Sequence, residues 1–276
     1  MPRVQILSEE DAARVVPRPA ATTLIVRGGE PGLEVLMVRR SLQASFLPGA
    51  YVFPGGAVDA LDASDAHAAL CNEPAERLIE RIGNVTGVGA AAPGFAVAAL
   101  RECFEECGLW LGAPADRAAQ LASLRARLHA GEPLAVLAQS AGLPLATAAL
   151  QPWSHWVTPF GVHKRFDTLF FVVIAPPGQV PSVDAGETTT LAWVHPPTAL
   201  AEHARGEFHM EFATVRTVES LRPFADGTAG LMQHAASLTD LPAVHPRVRI
   251  DAQRRVIGVL MPGQVGYDEA PLKHRA

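Results

Sequence analysis

Three glutamates fall within five residues in the stretch Ala98-Ala99-Leu100-Arg101-Glu102-Cys103-Phe104-Glu105-Glu106-Cys107-Gly108-Leu109. On a helix turning about 100° per residue, Glu102, Glu105 and Glu106 share an arc of roughly 100°. Val97, Leu100, Cys103, Phe104 and Cys107 take the opposite face, which suits burial. Gly108 then stops the helix. Three clustered carboxylates repel one another unless positive charge sits among them. A hard divalent cation such as Mg²⁺ is the natural partner, because it prefers oxygen ligands. A solvated acidic face is the ordinary explanation of an isolated Glu-Glu pair. Arg101, the immediate glycine stop and a second motif upstream count against it here.

That second motif is Pro54-Gly55-Gly56, which directly follows the apolar run Ala50-Tyr51-Val52-Phe53. Glycines at such a point permit positive φ and close backbone approach to a ligand or ion. Taken alone, the motif reads as a tight turn. Asp59 and Asp62 follow within one short loop.

The elements that must position these residues are legible from periodicity. Residues 21–27 read as a strand closed by Gly28-Gly29, and residues 33–40 as the next, so the two could form a hairpin. Residues 63–95 are alanine-rich, with helical patterns broken by Gly83, Gly87, Gly89, Pro93 and Gly94, and look like an insertion. Residues 116–129 form an amphipathic helix with Leu121, Leu124 and Leu128 on one side, followed by a short helix over 134–140; together 113–150 reads as a second, helical insertion. Strands are expected at 153–158, 166–174, 190–194 and 256–261, with 166–174 too apolar to lie at an edge. Pro196-Pro197 opens a helix to about residue 205, and 211–239 is mostly helical. These elements predict a single α/β or α+β domain over residues 1–276.

Composition agrees. The chain has 276 residues, 49% hydrophobic and 18% charged, enough to bury a substantial core. A net charge of −5 argues against a nucleic-acid partner, which usually leaves a basic footprint. Cys71, Cys103 and Cys107 offer no disulfide framework and no tetrahedral zinc set. The start lacks a signal-peptide core, and no apolar run of ~18 residues suggests a membrane span. A cytoplasmic setting is the expectation. The end, Lys273-His274-Arg275-Ala276, differs from the peroxisomal Ser-Lys-Leu address.

Together, Phe53-Pro54-Gly55-Gly56 and Arg101-Glu102-x-x-Glu105-Glu106-x-Gly108-Leu109 resemble the Nudix box. That pattern is a glycine, five residues, a glutamate, seven residues, then Arg-Glu-hydrophobic-x-Glu-Glu-x-Gly-hydrophobic. From Gly56, five residues lead to Asp62, so aspartate stands where the family has its first glutamate. Between Asp62 and Arg101 lie 38 residues where the family has seven, an interruption of 31. The split box and the segments Ser45 to Asp59, Trp153-x-x-Trp156-Val157-Thr158-Pro159 and Lys164-Arg165-Phe166-Asp167-Thr168-x-Phe170-Phe171 resemble the branch of the family that contains a peroxisomal CoA diphosphatase. The resemblance runs from about residue 20 to 225.

The resemblance implies a Nudix-type α/β/α sandwich with a mixed sheet and helical insertions. It implies hydrolysis of a diphosphate joining a nucleoside to a second group, assisted by Mg²⁺ or Mn²⁺. CoA or acyl-CoA is the leading substrate, with ADP-ribose or NADH as the alternative; a non-catalytic ligand sensor is the reading from a different class. Glu102 and Glu106 would be the principal metal ligands, Glu105 a further ligand or catalytic group, and Gly56 a backbone ligand. Arg101 would orient the glutamates, or else be a plain surface ion pair. Glu187, on the loop before a later strand, could bind metal or act as general base; an ordinary exposed glutamate is an equal alternative. Arg165 and Arg40 are the candidate substrate contacts, although Arg165 could equally pair with Asp167. Trp153 and Trp156 could stack a base, and His155 and His163 could reach the substrate, but core packing and structural roles are the expectation. The insertions 63–95 and 113–150 could cap the site or build a homodimer interface, and the sequence does not choose between these.

Overall fold

The computed structural model describes residues 6–44, 47–183, 188–253 and 255–270. Strands β1 (Arg18–Gly28), β2 (Leu33–Arg40), β3 (Tyr51–Val52), β4 (Gly55–Ala57), β5 (Gln151–Val157), β6 (Phe166–Ile174) and β7 (Thr188–Val194) make one seven-stranded sheet. Its path is β3-β2-β1-β6-β5, with β4 pairing β1 and β7 pairing β2. β1 and β6 run parallel from Arg18 opposite Phe166 to Val26 opposite Ile174. The other pairs are antiparallel, including the expected β1–β2 hairpin with Val26 opposite Val35. The sheet is therefore mixed, and β6 lies inside it between β1 and β5.

Alternating side chains feed two cores, as the period of two in a strand requires. In β6, Leu169, Phe171 and Val173 enter one, and Phe170 and Val172 the other. The first core is closed by helices α1 (Ala92–Cys107), α2 (Ala118–His129) and α3 (Leu134–Ala141). The second is closed by α4 (Pro196–Arg205), α5 (Phe212–Leu221) and α6 (Thr228–Ser237). This is the α/β/α sandwich. A separate hairpin, β8 (Arg247–Ile250) and β9 (Val256–Leu260), is held to the edge of β5 by Val244, which exchanges backbone hydrogen bonds with His155 and Val157. Among the described residues, no helix is long and apolar enough to cross a membrane.

Two local expectations change. The breakers Pro93 and Gly94 do not separate the first insertion from α1. Proline sits in the first turn, where its missing N–H costs nothing, and a Cβ on Gly94 would lie 3.3 Å from that of Ala63. The acidic helix thus begins at Ala92. Gly55 and Gly56 continue the chain as strand β4, because Gly55 without a Cβ lies close to the Ala21 carbonyl of β1; an added Cβ would be 2.4 Å from that oxygen. The first insertion is a series of short helical turns whose Leu78 and Ile82 plug the core beneath α1. Cys103 and Cys107 are buried and free, and burial pushes both thiols up, which keeps them unreactive.

Candidate active site

α1 carries an almost continuous apolar face of Ala96, Val97, Ala99, Leu100, Cys103, Phe104 and Cys107 into the first core. Its alanines let the helix approach β1, where the Thr23 hydroxyl donates to the Ala99 carbonyl. The opposite face, with Glu102, Glu105 and Glu106, looks into a cleft of about 1750 Å³. Gly108, at φ 69°, ends the helix in the left-handed region.

The two halves of the split motif meet through Arg101. Its Nε donates to Asp62 Oδ1 at 3.0 Å and its Nη2 to Asp62 Oδ2 at 2.9 Å. Nη2 also donates to the Ala57 carbonyl at 2.8 Å, and Nη1 to Glu102 Oε1 at 2.7 Å and Glu105 Oε2 at 3.4 Å. Asp62 is almost fully buried, and its Oδ2 also accepts from the backbone N–H of Asp59. Burial alone would lower the Arg101 pKa. The hydrogen bond to Asp62 and the charges of Glu102 and Asp62 outweigh it, so the guanidinium stays charged. The aspartate at the first acidic position therefore meets the acidic helix through Arg101.

The glycines close the contact. The Gly55 N–H donates to Glu106 Oε2 at 3.0 Å. A Cβ on Gly56 would lie 2.3 Å from Glu102 Oε1, so only glycine leaves the carboxylate its place. Among the described residues, no three Asp, Glu, His or Cys side chains already converge as a metal shell: Arg101 bonds Glu102 and Glu105, and Glu106 faces Gly55. The donor set nevertheless fits a hard divalent cation. It is all oxygen and rich in carboxylate, and the missing side chain of Gly56 leaves the Glu102 carboxylate room beside the strand backbone. Burial raises the Glu102 pKa from 4.5 to about 7, although Arg101 opposes the rise, so its charge is not fully compensated by the protein alone.

This raised value sets a pH dependence. The folded chain holds a proton on Glu102 that the unfolded chain releases, so stability falls as pH rises from about 4.5 to 7. In EDTA, thermal denaturation between pH 5 and 8 is expected to show this fall, and Glu102→Gln should flatten it. A Tm profile unchanged by Glu102→Gln would contradict the assignment.

The other expected site residues part company. Arg40 lines the cleft. Glu187 lies outside the described residues. Arg165 is not a cleft residue: it is buried, donating to the carbonyls of Thr158 and Val15, where it fastens the turn before β6. Its expected partner, Asp167, instead pairs with buried His155, whose other ring nitrogen meets the Thr86 carbonyl of the first insertion. In place of the expected substrate contact, the structure holds the Arg165 guanidinium through Nε and Nη1 against backbone carbonyls.

Sequence reading missed most of the cleft wall. Arg18, Lys164 and Phe166 line it beside Trp156, and the β8–β9 hairpin closes one side through Val248, Arg255 and Val256. Arg18 carried no motif, and Lys164 and Phe166 entered only as part of a resembling segment with no role given, because their common position with Arg18 depends on the parallel pairing of β1 with β6. Nor does anything local in residues 247–260 indicate that this hairpin lines the cleft.

Comparisons with known proteins agree with this geometry. The NUDT19 Nudix domain matches residues 11–219. The acyl-coenzyme A diphosphatase NUDT19 of Gallus gallus is 30% identical over 234 residues, spanning 65% of this chain and 61% of the relative. That of Homo sapiens is 29% identical over 238 residues, spanning 71% and 63%. The chain thus spans about three-fifths of the length of these curated relatives. A crystal structure of a NUDIX hydrolase from Alicyclobacillus acidocaldarius superposes with a TM-score of 0.62 at 28% identity, covering 82% of this chain and 98% of that one. With a split glycine–glutamate motif rejoined by Arg101 and a match over most of its length, the chain belongs to the Nudix family, in the branch of the NUDT19 Nudix domain.

Proposed function

We propose that this chain is a Mg²⁺- or Mn²⁺-dependent diphosphatase acting on CoA and acyl-CoA. The observation that carries the reading is the junction of Asp62, Arg101, Gly55 and Gly56 around Glu102 and Glu106. Glu102, Glu105, Glu106 and the Gly56 carbonyl would hold the cation. When bound, it would offset diphosphate charge and ease deprotonation of the attacking water. Arg101 fixes the direction of the Glu102 carboxylate, and the Gly55 N–H fixes that of Glu106. Water adds across the P–O–P linkage, giving adenosine 3′,5′-bisphosphate and phosphopantetheine or its acyl form.

Two features support a long, partly apolar, multiply charged substrate. The cleft exceeds the ~300–1,000 Å³ common for small-ligand sites. Away from the glutamates, its wall combines the cations Arg18, Arg40 and Lys164 with Trp156, Phe166 and Phe170. The names of the chicken and human relatives point the same way. The test is a steady-state assay of the purified chain with CoA, acyl-CoAs, ADP-ribose and NADH, each with Mg²⁺ and with Mn²⁺. Cleavage of CoA or acyl-CoA at the highest kcat/KM is expected. No turnover of either, with ADP-ribose or NADH cleaved, would replace this substrate by the alternative; no turnover of any would favour a ligand sensor.

A further inference from the structure

The last carbonyls of α1 need partners that the helix cannot supply. Phe104 O accepts from the Gly108 N–H at 2.9 Å, and Cys107 O from the Ser182 N–H at 2.9 Å. Glu105 O accepts from Arg125, through Nε at 2.9 Å and Nη2 at 2.7 Å. The remaining edge of the same guanidinium, Nη1, donates to Ser182 O at 3.0 Å, Ser182 Oγ at 2.9 Å and Val183 O at 3.3 Å. Arg125 is buried, and it comes from α2, in the helical insertion, whose Leu121 and Leu124 are buried in the first core, and it reaches the end of the acidic helix. A Cβ on Gly108 would press to 3.1 Å from both Arg125 Nη1 and Ser182 Oγ. The fit around this one side chain is therefore close.

We infer that Arg125 is a positioning residue for the acidic face. It clamps the backbone of Glu105 from beneath, and that turn presents Glu105 and Glu106 to the cleft. A cation at a helix C-terminus is favourable in itself. Burying a guanidinium is nevertheless costly unless its donors are matched, and an aliphatic residue could fill the same core space without that cost. What an aliphatic residue would lose is the fixed joint between the last turn of α1 and Ser182-Val183. The helical insertion thereby acts as a buttress of the acidic helix.

The inference rests on the proposed role of that helix in holding a divalent cation, and not on the identity of the substrate. Mn²⁺ binding to the purified full chain, followed by calorimetry or electron paramagnetic resonance, tests it without turnover. Arg125→Met is expected to weaken Mn²⁺ binding about tenfold, the size seen when outer partners of metal ligands are removed. Arg125→Lys, which keeps one donor near Glu105 O, should weaken it by only about threefold. Leu124→Ala, a cavity in the same helix, should lower Tm and leave Mn²⁺ affinity unchanged. In assays, kcat should fall for Arg125→Met with KM within about twofold of the parent. A folded Arg125→Met that binds Mn²⁺ as tightly as the parent would overturn the inference, as would equal weakening by Leu124→Ala. Should Arg125→Met fail to fold, unchanged Mn²⁺ affinity in Arg125→Lys decides against it. Because metal binding is read directly, a negative CoA assay leaves this result standing, and the converse also holds.

Discussion

Glu106→Gln is expected to lower the proposed metal-dependent kcat/KM by on the order of 10³, about 4 kcal/mol of transition-state stabilisation. Glu106 is buried at the floor of the cleft, with Oε2 accepting from the Gly55 N–H. Glutamine has the same shape, and its amide oxygen can keep that bond, so the strand–helix contact survives. Only the negative charge is lost. A neutral amide is a far weaker partner for a hard cation than a carboxylate. The expected outcome is a variant whose circular dichroism and Tm match the parent within a few degrees, but which neither binds Mn²⁺ tightly nor turns over substrate. Full activity in Glu106→Gln would show that the cation, if needed, is held elsewhere.

Arg101→Met is expected to cost about 3–5 kcal/mol of stability, because it strands the buried carboxylate of Asp62. The size follows from burial. The Asp62 side chain is only 1% exposed and that of Arg101 13%, so water cannot replace the lost partner. Exposed pairs such as Arg77–Glu80 would lose little in the same experiment. Urea denaturation of Arg101→Met, Asp62→Asn and the double variant separates the pair from its surroundings. The double variant should be less destabilised than the sum of the singles, since each removes the same interaction. Additive losses, or a loss under about 1 kcal/mol for Arg101→Met, would mean that this bond does not join the two halves of the motif. Activity should fall as well, because Glu102 loses the donor that orients it.

The legible parts of this protein were those governed by neighbours along the chain. Helical spacing put three glutamates on one face and five apolar residues on the other, and α1 has that arrangement. The run at 166–174 is inside the sheet because every side chain from Leu169 to Val173 has apolar surface to bury. Errors arose where a residue type has two local meanings. Pro93 and Gly94 read as breakers but open a helix, and Gly55-Gly56 read as a turn but continues as a strand.

Charged residues show the boundary most clearly. Arg101, Arg125 and Arg165 have the same side chain and the same preference for oxygen acceptors. The glutamates beside Arg101 are acceptors legible in the sequence, but nothing within a few residues shows the distant acceptors that these three arginines meet. Arg101 finds Asp62 across the interruption, Arg125 finds the end of the acidic helix, and Arg165 finds the Thr158 and Val15 carbonyls instead of the cleft. By itself, the sequence determined the acidic face, its apolar reverse and the strands that bury it, because periodicity and side-chain size act locally. The motif pointed to Arg101 for the site; the tertiary structure alone decided that it also reaches Asp62, that Arg125 supports the acidic helix and that Arg165 serves the fold. A guanidinium settles where buried oxygens are left unmatched, and those positions exist only once distant segments have packed together.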